Sequence, residues 1–129
     1  MGQSVAVTEG IRVEVESRFL GERSSNSGKL YFFAYRIQVF NEGGSPARLL
    51  SRHWVITDGN GEVEHVRGPG VVGETPRLEP GESYEYESYC PLSTPLGAMR
   101  GEYQFVRDDG SAFEVEIAEF SLEEPLSIN

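Results

Sequence analysis

The residues with the clearest chemical potential lie in the stretch VRGPGVVGETP, Val66 to Pro76, which contains Gly68-x-Gly70-x-x-Gly73. That spacing binds a dinucleotide when the glycines join a strand to a helix, because the pyrophosphate then sits on the helix N-terminus. Here Glu74, Thr75 and Pro76 follow instead of a helical pattern. A P-loop is also missing, since no Gly-Lys-Ser/Thr follows and Lys29 is the only lysine in the chain. The loop reads first as a connection between two strands. Two alternatives stay open. The amides of Gly68, Gly70 and Gly73 could form an anion nest for a pyrophosphate-containing nucleotide, helped by Arg67 and flanked by Arg77. Or the loop could contact a protein through Val71 and Val72, together with Met99 from the segment TPLGAMRG, residues 94–101.

Other reactive side chains are sparse. His53 and His65, the only histidines, are 12 apart and match no recognised ligand spacing. Carboxylates such as Asp58, Glu62 and Glu64 could bind a hard divalent cation, but scattered acids on strand faces are usually solvated. Cys90 has no neighbouring His or Lys to activate it and reads as a small buried residue. There is no Gly-x-Ser-x-Gly elbow, and Asp108-Asp109 falls in a turn. The sequence therefore assigns no catalytic residue, no metal ligand set and no cofactor, and the expectation is a protein that is not an enzyme.

Charge narrows the partners. The net charge is −10, and residues 66–129 hold 13 acidic against 4 basic side chains. Such a chain is repelled by phosphate backbones and anionic lipid heads, which argues against nucleic acid and membrane surfaces. No apolar run approaches the roughly 18 residues of a membrane span. A single cysteine allows no internal disulfide and suits a reducing compartment. The first residues show no basic and apolar leader. The expected location is the cytoplasm, and the expected partner is a protein.

These residues must be positioned by strands. A period of two runs through the chain, with Ile11, Val13, Val15 and Phe19 on one face and Phe33, Tyr35, Ile37 and Val39 on another. In ARLLSRHWVITD the count puts Leu50, Trp54 and Ile56 on one side and Leu49, His53 and Val55 on the other. Turns are expected at NEGGSP, DGNG (58–61) and DDGS (108–111), and PLSTPLG is too broken by proline for a strand interior. No segment shows a helical period. Length and pattern predict one domain over 1–129, ordered over about 9–123 with loose ends. The predicted fold is all-β: an antiparallel sandwich of seven or eight strands in the immunoglobulin or fibronectin type III manner. LEPGESY, Leu78 to Tyr84, has the form of a tyrosine corner, and Trp54 suits the core. Phe32, Phe40, Tyr89 and Tyr103 could fall on either face. The strand at 11–19 is a candidate edge for a homodimer.

Taken together, Trp54-x-Ile56-x-Asp58-Gly59, Gly68-x-Gly70-Val71-Val72-Gly73-x-x-Pro76, Pro80-Gly81-Glu82 and Thr94-Pro95-x-Gly97-x-Met99-x-Gly101-x-Tyr103 resemble the ApaG family over about residues 9–123. The resemblance implies a fibronectin-type sandwich in a small bacterial protein. Related domains occur in an F-box protein and a DNA-polymerase-delta-interacting protein, where they are thought to mediate protein contacts. Bacterial members are linked genetically to cobalt resistance and magnesium efflux. Pro69 stands where family members often carry an acid. It removes one amide from the loop and stiffens it.

Overall fold

The computed structural model describes residues 2–25 and 27–125. Nine strands follow one another: β1 (Gln3–Thr8), β2 (Ile11–Phe19), β3 (Tyr31–Asn41), β4 (Ala47–Asp58), β5 (Val63–Pro69), β6 (Arg77–Leu78), β7 (Ser83–Leu92), β8 (Leu96–Arg107) and β9 (Ala112–Glu123). Among the described residues the only helical turn is the 3-10 segment Gly21–Arg23. All pairings are antiparallel. One sheet runs β1-β2-β3-β7; the other runs β5-β4-β8-β9, with β6 also on β4. Apart from β1, this is the strand order of a fibronectin type III module.

The period-two residues pack as their alternation dictates. Ile11, Val13, Val15, Phe33, Tyr35, Ile37 and Val39 are buried and face Trp54, Tyr103, Phe105, Val115 and Ile117 of the second sheet. Trp54 meets Tyr35 edge-on at 5.3 Å and Phe120 at 5.9 Å. Burying each such ring stabilises the fold by roughly 2–3 kcal/mol relative to exposure.

The structure corrects several expectations. Residues 3–8 are not a loose end: β1 pairs with β2 from Gln3↔Glu16 to Thr8↔Ile11. Consequently the strand at 11–19 lies inside its sheet and cannot serve as a dimer edge. Met1 and residues 126–129 lie outside the described set. In β4 a register shift between Leu49 and Ser51 breaks the period-two count. Leu49 therefore joins Trp54 in the core, and Leu50 is turned out. β7 continues through Pro91, which an edge strand tolerates, leaving only Ser93–Pro95 as the break before β8. The segment LEPGESY precedes β7 as a simple turn closed by Glu82 N–H to the Glu79 carbonyl at 2.9 Å. Tyr84 packs beside Tyr86 at 6.3 Å and its hydroxyl does not bond back to the turn.

The two long seams of the sandwich differ. At one, β1 leans on β9. Ser17 Oγ accepts from the Gly2 amide (3.1 Å) and donates to the Ser121 carbonyl (2.7 Å), and the Glu116 amide donates to Thr8 Oγ1 (3.1 Å). At the other seam, β5 overhangs β7, and six of its seven residues are exposed.

Candidate functional site

The glycine motif lies at the end of that overhanging strand. The turn DGNG joins β4 to β5: the Asp58 amide donates to the Glu62 carbonyl (3.0 Å), and Asp58 Oδ1 accepts from the amides of Asn60 and Glu62. The resulting register pairs Arg52 with Gly68, His53 with Arg67 and Val55 with His65. Beyond Pro69 the chain makes a tight excursion before β6 returns to β4.

The excursion is a two-residue hairpin turn. Val71 and Glu74 exchange amide–carbonyl bonds of 2.8 and 3.0 Å, and the central residues Val72 (φ 48°) and Gly73 (φ 78°) are both left-handed. Such turns suit Asn and Gly. For a β-branched valine the conformation is a genuine outlier and costs on the order of 1–3 kcal/mol. Gly70 is also obligatory, because at φ 60° a Cβ would lie 2.3 Å from the Glu74 carbonyl oxygen. The turn drives Val71 wholly into the core and leaves Val72 63% exposed.

Arg52 braces this arrangement from the inner face. Its Nη1 donates to the carbonyls of Pro69 (3.0 Å) and Gly70 (2.9 Å). The guanidinium occupies the space a side chain at 68 would need, 2.9–3.0 Å from an added Cβ. That is the reason for a glycine there.

The residues picked from sequence thus separate. No helix follows Gly73, so the dinucleotide geometry is absent. The Gly70, Val71 and Glu74 amides already donate to backbone carbonyls, and Pro69 has none to offer. Arg67 stands on the outer sheet face beside His53, away from the turn. Arg77 is held by Asp108 (2.5 and 3.0 Å) and Glu79 (2.7 Å). Met99 is buried in the core opposite Ile56, while the glycine turn lies past the other end of β4. The 94–101 segment and the turn therefore do not form one surface. Of Val71, Val72 and Met99, only Val72 faces solvent.

Two groupings escaped the sequence reading. Arg52 is one. The other is a hydrogen-bonded chain across three strands: Glu102 Oε1 to His53 Nδ1 at 2.5 Å, then His53 Nε2 to His65 Nδ1 at 2.8 Å. The rings are nearly parallel (12°) with centroids 5.1 Å apart, the spacing of rings meeting edge to edge. One proton between the facing nitrogens makes that contact a hydrogen bond, which ties β5 to β4 and β8. The DGNG hairpin register was the signal that could have found it. Among the described residues no three His, Cys, Asp or Glu side chains converge to hold a metal ion. Cys90 is buried, and burial pushes its thiol up to about 12. The hydroxyls of Tyr86 and Tyr103 meet at 2.5 Å inside the core, where burial raises both above the ordinary tyrosine range. No helix among the described residues is long and apolar enough to cross a membrane.

Fold and edge together define a small antiparallel β-sandwich domain whose distinctive chemistry is a strained turn on an open sheet edge. A family model, the ApaG domain, matches residues 21–107. ApaG proteins of Anaeromyxobacter dehalogenans strain 2CP-C (56% identity, 98% of this chain and 99% of that protein) and Rhizobium etli (51%, 93% and 92%) are similar over nearly their whole length. So is a crystal structure of an ApaA protein from Bordetella pertussis, at 50% identity and TM-score 0.88, covering 91% of this chain and 95% of that one. The chain belongs to the ApaG family. The C-terminal domain of wzt shares the fold at 11% identity, with TM-score 0.54 over 98% of this chain and 80% of that one.

Proposed function

We propose that this chain is a non-enzymatic interaction module of the cytoplasm and that the turn at 69–74 meets its protein partner. One observation carries the reading: Val72 is held at positive φ, braced through Arg52, and presented to solvent. Backbone strain persists only where the surroundings over-determine it, and it concentrates at binding sites. An apolar side chain on a rigid tip is also a low-entropy anchor for a partner's pocket. On this reading the family's link to cobalt and magnesium runs through the partner and not through an ion held here.

The competing reading is a small-ligand module that takes a pyrophosphate-containing nucleotide through Gly68, Gly70, Gly73 and Arg67, or a divalent cation through surface carboxylates. One pair of experiments separates the two. The full chain, Val72→Lys and Val7→Lys, the last an exposed valine on β1, are compared in cross-linking capture from a bacterial lysate. The same chains are titrated by amide NMR with ATP, pyrophosphate, Mg²⁺ and Co²⁺. The proposal expects a captured protein that is lost with Val72→Lys and kept with Val7→Lys. Equal recovery by both variants, or saturable shifts centred on Gly68, Gly70 and Gly73, overturns it.

A further inference from the structure

The exposed edge of β5 is complementary to itself. Gly70 and Glu62 bond inward to β4, through Gly70 N–H to the Leu50 carbonyl and the Glu62 carbonyl to Asp58 N–H. By alternation the even positions of β5 face β4, and the main-chain groups of Val63, His65 and Arg67 point away from it, into solvent. β1 is closed off by β9, and β7 contains Pro91. β5 carries no bulge, and its guards are limited to Pro69, the last residue of the strand, and the inward-pointing Glu64.

The side chains determine what could pair there. On the inner face, Glu64 is opposite Ile56, Val66 opposite Trp54, and Gly68 opposite Arg52. Among the described residues Glu64 makes no ion pair, and Arg52 donates to the two carbonyls of the turn. The Arg52 guanidinium nevertheless fills the side-chain position of Gly68. Any antiparallel strand that sets a carboxylate opposite Gly68 would meet that guanidinium. A second β5 does so when Val66 lies on the two-fold axis, because Glu64 then faces Gly68 of the second copy, and the reverse holds by symmetry.

We infer that two copies of this chain associate through antiparallel β5–β5 pairing centred on Val66. His65 of each copy exchanges main-chain bonds with Arg67 of the other. Val63 packs on Pro69, whose carbonyl can still accept. Val66 meets Val66 in a non-hydrogen-bonded pair, and Glu64 reaches Arg52 twice. The second sheets of the two copies then form one continuous sheet. Both Val72 turns stay free at its ends, so this association is separable from any partner that the turn binds.

Cysteine placement tests the register. In the full chain, Val66→Cys puts the new thiol opposite itself, and non-hydrogen-bonded cross-strand pairs bring Cβ atoms within about 4.5–5.5 Å. Under mild oxidation Val66→Cys is expected to cross-link as a dimer at least tenfold faster than Val63→Cys, whose counterpart is Pro69. Native Cys90 is buried and does not compete. Sedimentation of the wild-type chain is expected to show a concentration-dependent dimer below roughly 1 mM, and Glu64→Arg should weaken it at least tenfold. A wild-type chain that stays monomeric to roughly 1 mM overturns the inference. So does cross-linking of Val63→Cys as fast as Val66→Cys, or a dimer indifferent to Glu64→Arg.

Discussion

The sealed seam and the open seam of this sandwich are made from the same kind of strand and end up with opposite properties. At the sealed seam, β1 and β9 bring small and polar groups into contact. Ser17 bridges two strands, Thr8 takes an amide of β9, and Leu122 and Ile117 behind them are completely buried. At the open seam, β5 projects past the first sheet, so Val66, which continues the core-forming alternation opposite Trp54, stays 36% exposed, and Val63 on the other face is 55% exposed. The difference teaches that alternation decides which way a side chain points, but only a facing strand decides whether it is buried. An edge left uncovered in this way is available for recognition, and here it ends in the one strained turn that displays a valine.

The largest expected effect tests that contrast directly. Leu122→Ala, beside the sealed seam, should cost about 3 kcal/mol in denaturant unfolding, since it opens a cavity in a filled core. Val63→Ala and Val66→Ala at the open seam should each stay within about 0.5 kcal/mol. Similar costs at both seams would break the comparison. Next comes the turn: Gly70→Ala must relieve a Cβ–oxygen approach of 2.3 Å at positive φ and should cost at least about 2 kcal/mol by the same measurement. Val72→Gly should do the reverse and stabilise the chain by about 1 kcal/mol, because relief of the left-handed valine outweighs the added freedom of the unfolded glycine. A gain in stability with loss of partner capture is what a strained binding tip predicts.

The smallest effect belongs to the solvated ion pairs of the first sheet. Arg36 holds the Glu85 carboxyl below its ordinary value through a two-pronged hydrogen bond. A depressed carboxyl contributes stability that is present above pH 4.5, its ordinary value, and is lost as pH falls through the lower folded value. Melting curves of Arg36→Ala and the parent chain should therefore differ slightly at neutral pH and converge in acid. Screening by solvent keeps even the neutral-pH difference small.

Much of this was legible in the residues. The two-residue period of β2, β3, β8 and β9, the DGNG and DDGS turns and the Trp54 core position follow from alternation and turn chemistry alone. The misreadings have physical causes. The bulge at Leu50 inverts the β4 count, because an extra residue on one strand leaves no mark in a period-two pattern. β1 was missed because none of its side chains is fully buried: Val5 and Val7 face solvent, and it is tied to its neighbours by the main-chain ladder to β2 and by the Thr8 hydroxyl. Met99 and Val71 were expected at a surface because their glycine-rich surroundings resembled a loop, yet the glycines there admit close backbone contact: a Cβ at Gly101 would lie 2.0 Å from the His53 carbonyl oxygen. The Arg52 clamp and the Glu102–His53–His65 chain depend on the hairpin register. That register was implicit in the DGNG turn and becomes visible only when the strands are laid side by side.

The most direct test of the central claim, that the β5 edge is the surface left open for association, is residue-resolved amide hydrogen exchange of the full chain at low and high protein concentration. The account predicts that the His65 and Arg67 amides exchange freely in dilute solution and become protected as concentration rises, while amides of β2, β3 and β8 stay protected throughout. Exchange at His65 and Arg67 that does not change with concentration would contradict it.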